Sequence, residues 1–137
     1  MSLLSTKHFI SLKDTPKKDI MMLLETADSF KEVLDRPIKK VPALNGKNIL
    51  NLFFENSTRT KMSFELAEKR LSADVTNFSS SSSSVTKGES LKDTIQNIYA
   101  MKMDCVVMRH PTPGSCNQLV NYVDTIVINA GEAEEVP

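Results

Sequence analysis

Apolar positions recur along this chain in two periods, and the period changes several times. Between 16 and 34, Ile20, Leu23, Leu24, Ala27, Phe30, Val33 and Leu34 return every three or four residues. That spacing predicts one amphipathic helix with these side chains on its inward stripe. Thr15 stands at the N-cap position, Pro16 at the first helical position, and Pro37 closes the segment. After the turn dipeptide Asn45-Gly46, residues 48–54 form a short apolar run that predicts a buried strand. Glu55-Asn56-Ser57-Thr58 interrupts it, and helical spacing resumes with Met62, Phe64, Leu66, Ala67 and Leu71. A second strand is predicted over 75–78 and a helix around Leu91, Ile95, Ile98 and Tyr99. A strand over 104–108, a helix over 114–123 and a strand over 125–129 complete the pattern. Six serines, Ser79 to Ser84, have the composition of a polar linker, and Ser90-Leu91-Lys92-Asp93 has capping-box spacing with Asp in the Glu/Gln place.

The strands are continuous apolar runs, not alternating ones, and helices separate them. Such strands are covered on both faces, as in parallel sheets. The expected fold is therefore α/β, a three-layer sandwich with a central, mainly parallel four-stranded sheet flanked by helices. The stretch 131–137 is acidic and poor in apolar residues, so it is expected to fray or to lead into something further.

Composition narrows the function classes. The 137 residues suit one domain. With 40% hydrophobic and 25% charged residues, wholesale disorder is excluded. Lys plus Arg number 17 and Asp plus Glu number 17, a formal net charge of zero, so neither nucleic acid nor an anionic membrane is an expected partner. No apolar run approaches the roughly 18 residues of a membrane span. Residues 1–12 lack the basic and apolar regions of a secretory signal, so the cytoplasm is the expected compartment. Cys105 and Cys116 are too few for a disulfide framework or a zinc site, and Cys105, inside an apolar run, reads as a small core residue.

In open parallel sheets, ligands bind beyond the carboxyl ends of the strands. Three polar clusters fall there. Ser57-Thr58-Arg59-Thr60 lies between the first strand and its helix, where hydroxyls, a guanidinium and free backbone N–H groups make a phosphate site. Arg109-His110 ends the third strand, and Ser83 to Lys87 closes the serine run with one cation and hydroxyls. Each has a plainer reading. A Ser-Thr pair before a helix can be only an N-cap, an Arg after a strand only a surface residue, and a His before Pro only structural. No Walker lysine motif and no G-x-G-x-x-G is present, so neither a nucleoside triphosphate nor a dinucleotide is indicated.

The same residues in this order resemble the aspartate carbamoyltransferases of the aspartate/ornithine carbamoyltransferase superfamily. The segments that carry the resemblance are Phe53-Phe54-Glu55-Asn56-Ser57-Thr58-Arg59-Thr60 with Ser63-Phe64-Glu65, then Ser84-Val85-Thr86-Lys87-Gly88-Glu89-Ser90 with Asp93-Thr94. Val107-Met108-Arg109-His110-Pro111 and Ile128-Asn129-Ala130-Gly131 follow, so the likeness runs from near residue 5 to residue 131. The first segment is specific to transcarbamylases as a group. The lysine loop separates the aspartate from the ornithine enzymes, which lack it.

The resemblance implies a transferase that joins carbamoyl phosphate and L-aspartate to give N-carbamoyl-L-aspartate and phosphate, a step of pyrimidine biosynthesis. It implies that Ser57, Thr58, Arg59 and Thr60 hold the phosphate, and that Thr60 and Arg109 polarise the carbonyl oxygen. It implies that Ser83 and Lys87 reach the active site of a neighbouring subunit in a homotrimer, and that no metal and no organic cofactor takes part. Three departures stand out. Thr86 occupies a frequent lysine position, the serine run is long, and Glu132-Ala133-Glu134-Glu135-Val136-Pro137 stands where the family proceeds to a His-Pro-Thr-Gln segment. The expected organisation is a carbamoyl-phosphate-binding domain over 1–131 and a divergent tail over 132–137, with the aspartate-binding domain absent. Such a chain is expected to bind L-aspartate only as part of a full-length enzyme, to be inactive by itself, and to leave an apolar patch uncovered where the family's final helices return. The competing readings are an ornithine-type or other carbamoyltransferase, and a non-catalytic anion-binding or assembly module.

Overall fold

The computed structural model describes residues 4–54, 57–79 and 91–132. The serine run past Ser79, the Ser90 capping box, and Ser83 and Lys87 lie outside the described residues. In chain order the elements are α1 (Lys17–Phe30), a 3-10 turn (Lys31–Asp35), β1 (Asn48–Phe53), α2 (Thr58–Arg70), β2 (Asp74–Ser79), α3 (Leu91–Ala100), β3 (Cys105–His110), α4 (Ser115–Val120) and β4 (Ile126–Glu132).

The four strands form one sheet in the order β2-β1-β3-β4, and every pairing is parallel. β1 and β3, the two apolar runs, lie at its centre. Alternation along them divides the core. Leu50, Leu52, Val106, Met108 and Val127 face Ile98 of α3 and Cys116 and Leu119 of α4. Ile49, Phe53 and Val107 face the other way, with Phe64 of α2 packed against them. The result is the expected three-layer α/β sandwich.

Several expectations need correcting. Thr15 does not cap α1: its hydroxyl donates to the Ser11 carbonyl at 2.6 Å, and Pro16 occupies the cap with no side-chain bond. The last turn of that expected helix tightens into the 3-10 turn. The helix expected over 114–123 is only Ser115–Val120. Residues 131 and 132 do not fray. They finish β4, because the Glu132 carboxylate accepts from the Gly114 and Cys116 N–H groups, each at 2.9 Å, and so ties the strand end to the start of α4.

The outer edge of β4 is covered by the N-terminal segment, where the pattern predicted no element. Phe9 pairs parallel to Ile128, its N–H donating to Val127 O at 3.0 Å and its carbonyl accepting from Asn129 N at 2.8 Å. This closes backbone groups that an edge strand would otherwise expose. Behind it, buried Asp19 accepts from Ser5 N at 3.0 Å and Ser5 Oγ at 2.7 Å, anchoring α1 to the same segment.

The inward stripe expected for α1 is largely uncovered. Leu24, Phe30 and Leu34 are exposed and only Val33 is buried. With Leu66 and Leu71 of the α2 region, Phe30, Val33 and Leu34 border an open apolar groove of about 450 Å³. No helix among the described residues is long and apolar enough to cross a membrane.

Candidate anion site at the carboxyl edge of the sheet

The parallel strands bring the end of β1, the end of β3 and the end of β4 to one edge of the sheet. Ser57 caps α2 in an extended conformation (φ −151°), and its Oγ accepts from Thr60 N at 3.4 Å. The same hydroxyl donates to Thr60 Oγ1 at 2.9 Å. Four residues, Ser57 to Thr60, thus wrap the first turn of a 13-residue helix. No acidic side chain stands in that first turn, and Lys69 and Arg70 stand in the last. No side chain of that turn matches the positive end of the helix dipole, while Lys69 and Arg70 match the negative end.

Thr58 and Arg59 are exposed. They border an open groove of about 780 Å³ along the outer side of α2, with Met62, Leu66 and Lys69 further along it. Ser57 and Thr60 are half-buried and face each other. The described geometry therefore joins Ser57 to Thr60 directly and places Thr58 and Arg59 on the solvent side of the same turn.

Arg109 comes from a different part of the chain and reaches this edge through the backbone. Its carbonyl accepts from Phe54 N at 2.8 Å, which ties the exit of β1 to the exit of β3. Its guanidinium Nη1 donates to Ala130 O at 2.9 Å. The register of β3 against β4 slips between Met108 and Arg109, so that Arg109 pairs with Gly131. Gly131 has φ +133°, and a Cβ there would overlap Nη1 and sit 3.0 Å from Cζ of Arg109. The glycine is what leaves room for the guanidinium. The pattern marked Ile128-Asn129-Ala130-Gly131 as a motif but assigned no role to Gly131, since strand periodicity carries no information about which residue opposes it.

His110 packs its ring on Phe54, centroids 5.1 Å apart. Its Nδ1 accepts from Thr112 N at 2.9 Å and stands 3.0 Å from Ser115 Oγ. A backbone N–H only donates, so Nδ1 carries no proton and this imidazole is held in one tautomer. Burial raises the Glu132 carboxyl, but the Cys116 and Gly114 N–H groups it accepts from outweigh it and hold the group below the usual range.

Neither cysteine is a nucleophile. Burial, with Glu68 and Asp104 nearby, pushes the Cys105 thiol up to about 12, and burial with Glu132 does the same for Cys116. Thiolate is the reactive form. Both thiols should therefore resist iodoacetamide at neutral pH and react fully once the chain is unfolded. One fast-reacting thiol per native chain, counted by mass spectrometry, would contradict this.

Residues 7–137 match the family described as aspartate/ornithine carbamoyltransferase, carbamoyl-P binding domain. The chain belongs to that family. The match extends through the stretch 132–137. Among curated relatives, the aspartate carbamoyltransferase catalytic subunit of Christiangramia forsetii is 60% identical over 135 residues, spanning 98% of this chain and 44% of the relative. The catalytic subunit of Cytophaga hutchinsonii is 57% identical over 132 residues, 96% of this chain and 43% of its own length. This carbamoyltransferase-family chain thus spans somewhat under half the length of those relatives. Among solved structures, the aspartate transcarbamoylase of Trypanosoma cruzi in complex with aspartate and phosphate superimposes with a TM-score of 0.83 at 33% identity, covering 95% of this chain and 42% of that one. The catalytic subunit of the M. jannaschii aspartate transcarbamoylase gives 0.79 at 41% identity, covering 92% and 41%.

Proposed function

We propose that this chain is the carbamoyl-phosphate-binding part of an aspartate carbamoyltransferase. The observation that supports the reading is the Phe54 N to Arg109 O bond of 2.8 Å, which ties the strand end carrying Arg109 to the exit of β1, the strand that precedes α2. In this reading Ser57, Thr58, Arg59 and Thr60 hold the phosphate of carbamoyl phosphate. Thr60 and Arg109 hydrogen-bond the carbonyl oxygen, where negative charge grows as the amine of L-aspartate attacks. The carbon–nitrogen bond forms, the carbon–oxygen bond to phosphate breaks, and the departing phosphate takes the amine proton. Positioning and charge neutralisation supply the rate. L-aspartate would be held by the rest of a full-length enzyme.

The remaining parts of the proposal rest on the family. Ser83 and Lys87 would serve the site of a neighbouring subunit in a homotrimer, the compartment would be the cytoplasm, and the product would feed pyrimidine biosynthesis. The solved relatives support the substrate pair: one is described in complex with carbamoyl phosphate and aspartate.

Titration of the chain with fresh carbamoyl phosphate in a calorimeter tests the cradle. Saturable binding is expected, weakened about tenfold or more in Arg59→Ala and in Arg109→Ala, since a hydrogen bond to a charged group contributes about 1.5–3 kcal/mol. A folded chain that gives only heats of dilution would overturn the proposal.

A further inference from the structure

Asn51 is a polar residue in the middle of the apolar strand β1, and it is fully buried. Its Nδ2 donates to Glu68 Oε1 of α2 at 2.8 Å and to Asn77 Oδ1 of β2 at 3.0 Å. Glu68 is itself 5% exposed. Asn77 Nδ2 in turn donates to Glu65 Oε2 at 3.2 Å, and Glu65 pairs with Lys69 at 2.8 Å. One chain of polar contacts therefore fastens the inner face of α2 to both β1 and β2.

The centre of that chain fits a neutral acid better than an anion. A buried carboxylate needs an opposite charge or several donors, and Asn51 supplies one. Two oxygens in the interface, Glu68 Oε2 and Asn51 Oδ1, have no hydrogen-bond partner among the described residues. A proton on Oε2 removes the charge and turns one orphaned acceptor into a donor. Burial pushes the Glu68 carboxyl up to about 7, with the Asn51 bond opposing and Glu65 adding to the rise. The groups around it are Glu65 and Lys69 on its own helix, neutral Asn51 on β1, neutral Asn77 on β2, and the Cys105 thiol on β3.

Glu68 lies eleven residues beyond the Ser57 cap on the same helix, about 16 Å along its axis. It is too far to touch an anion at the cap, and any influence on the cradle passes through the seat of the helix. We propose that Asn51 and Glu68 are a positioning pair for the anion cradle: the protonated acid seats α2 on β1, and ionisation of Glu68 loosens that seat and weakens anion binding at the helix start. The inference rests on the carbamoyl phosphate reading of the cradle, and its test separates the two.

Carbamoyl phosphate is titrated into the wild-type chain, Glu68→Gln and Glu68→Ala at about pH 6 and about pH 8.5, on either side of the carboxyl's titration. Glutamine keeps the shape, accepts from Asn51 and carries the donor that the protonated acid would supply. Wild-type affinity is expected to fall about fivefold or more beyond the fall seen in Glu68→Gln, the low end of coupling between sites. Glu68→Ala is expected to bind weakly at both pH values, and Glu68→Gln to restore the affinity of the wild type at about pH 6. Identical pH profiles for wild type and Glu68→Gln would overturn the inference while leaving the cradle intact. If the wild type binds nothing at either pH, the cradle reading fails instead. Hydrogen exchange of the α2 amides then decides the positioning pair. Protection lost at high pH in the wild type but kept in Glu68→Gln supports it, and equal protection overturns it.

Discussion

Gly131→Ala is expected to weaken carbamoyl phosphate binding about tenfold or more while leaving the sheet folded. Two effects act at this position and they fall on different observables. The backbone at φ +133° lies where L side chains are rare, which costs about 1–3 kcal/mol of stability. The new methyl would also occupy the space of Arg109 Nη1 and crowd Cζ. What yields there is the far end of a flexible side chain, so the clash is relieved by moving the guanidinium off Ala130 O. That movement is inexpensive for folding and removes Arg109 from the carbonyl it is proposed to polarise. The loss in affinity should match that of Arg109→Ala, at least about tenfold for one charge-assisted contact. In the double variant the binding losses should not add, because both act through the same guanidinium, while the stability loss from the backbone persists. Calorimetric titration beside urea denaturation reads both. A Gly131→Ala chain that binds as the wild type does would show that Arg109 is not held by this contact.

Between about pH 4.5 and pH 7 the wild-type chain is expected to lose stability that Glu68→Gln retains. The carboxyl has its ordinary value of 4.5 in the unfolded chain and about 7 in the folded one. Between those values the folded state binds the proton and the unfolded state does not, so stability falls as pH rises through this window and levels off above it. At about 1.4 kcal/mol per pH unit the full effect is about 3 kcal/mol. Glu65 and Glu132 titrate below their ordinary values, so their contributions are lost in the opposite direction, as pH falls. The difference between wild type and Glu68→Gln isolates Glu68 from both. Denaturation midpoints measured across this range should converge at low pH and diverge by pH 7. Parallel curves would mean that Glu68 is ionised in the folded state throughout.

The fold was largely legible along the chain because its strands are buried on both sides. A run such as Ile49 to Phe53 has to be covered by two layers, and the intervening 3.6-period stretches supply them. The capped start of α2 was legible for a similar reason. Ser57 to Thr60 is a local motif, and the N-cap geometry it forms depends on a few consecutive residues. Burial on α1 was not legible. Leu24, Phe30 and Leu34 keep helical spacing yet remain exposed, since periodicity says which residues share a face and nothing about what meets that face.

Local order along the chain therefore determined the element sequence, the parallel sheet and the capped start of α2. Only the tertiary structure decided which distant residues complete them. Arg109 is tied to the exit of β1 by a backbone bond to Phe54, fifty-five residues earlier. Gly131 makes space for its guanidinium through a register slip between strands. Glu132, in a stretch whose composition is acidic and poor in apolar residues, anchors β4 to α4 by accepting two backbone N–H groups. Asn51 and Glu68 look like ordinary polar residues until the packing of α2 on β1 brings them to 2.8 Å and removes both from water. The physical reason is common to all four. Periodicity is set by the geometry of a single element, whereas the partner of a side chain is set by register and helix placement, which no stretch of residues encodes alone.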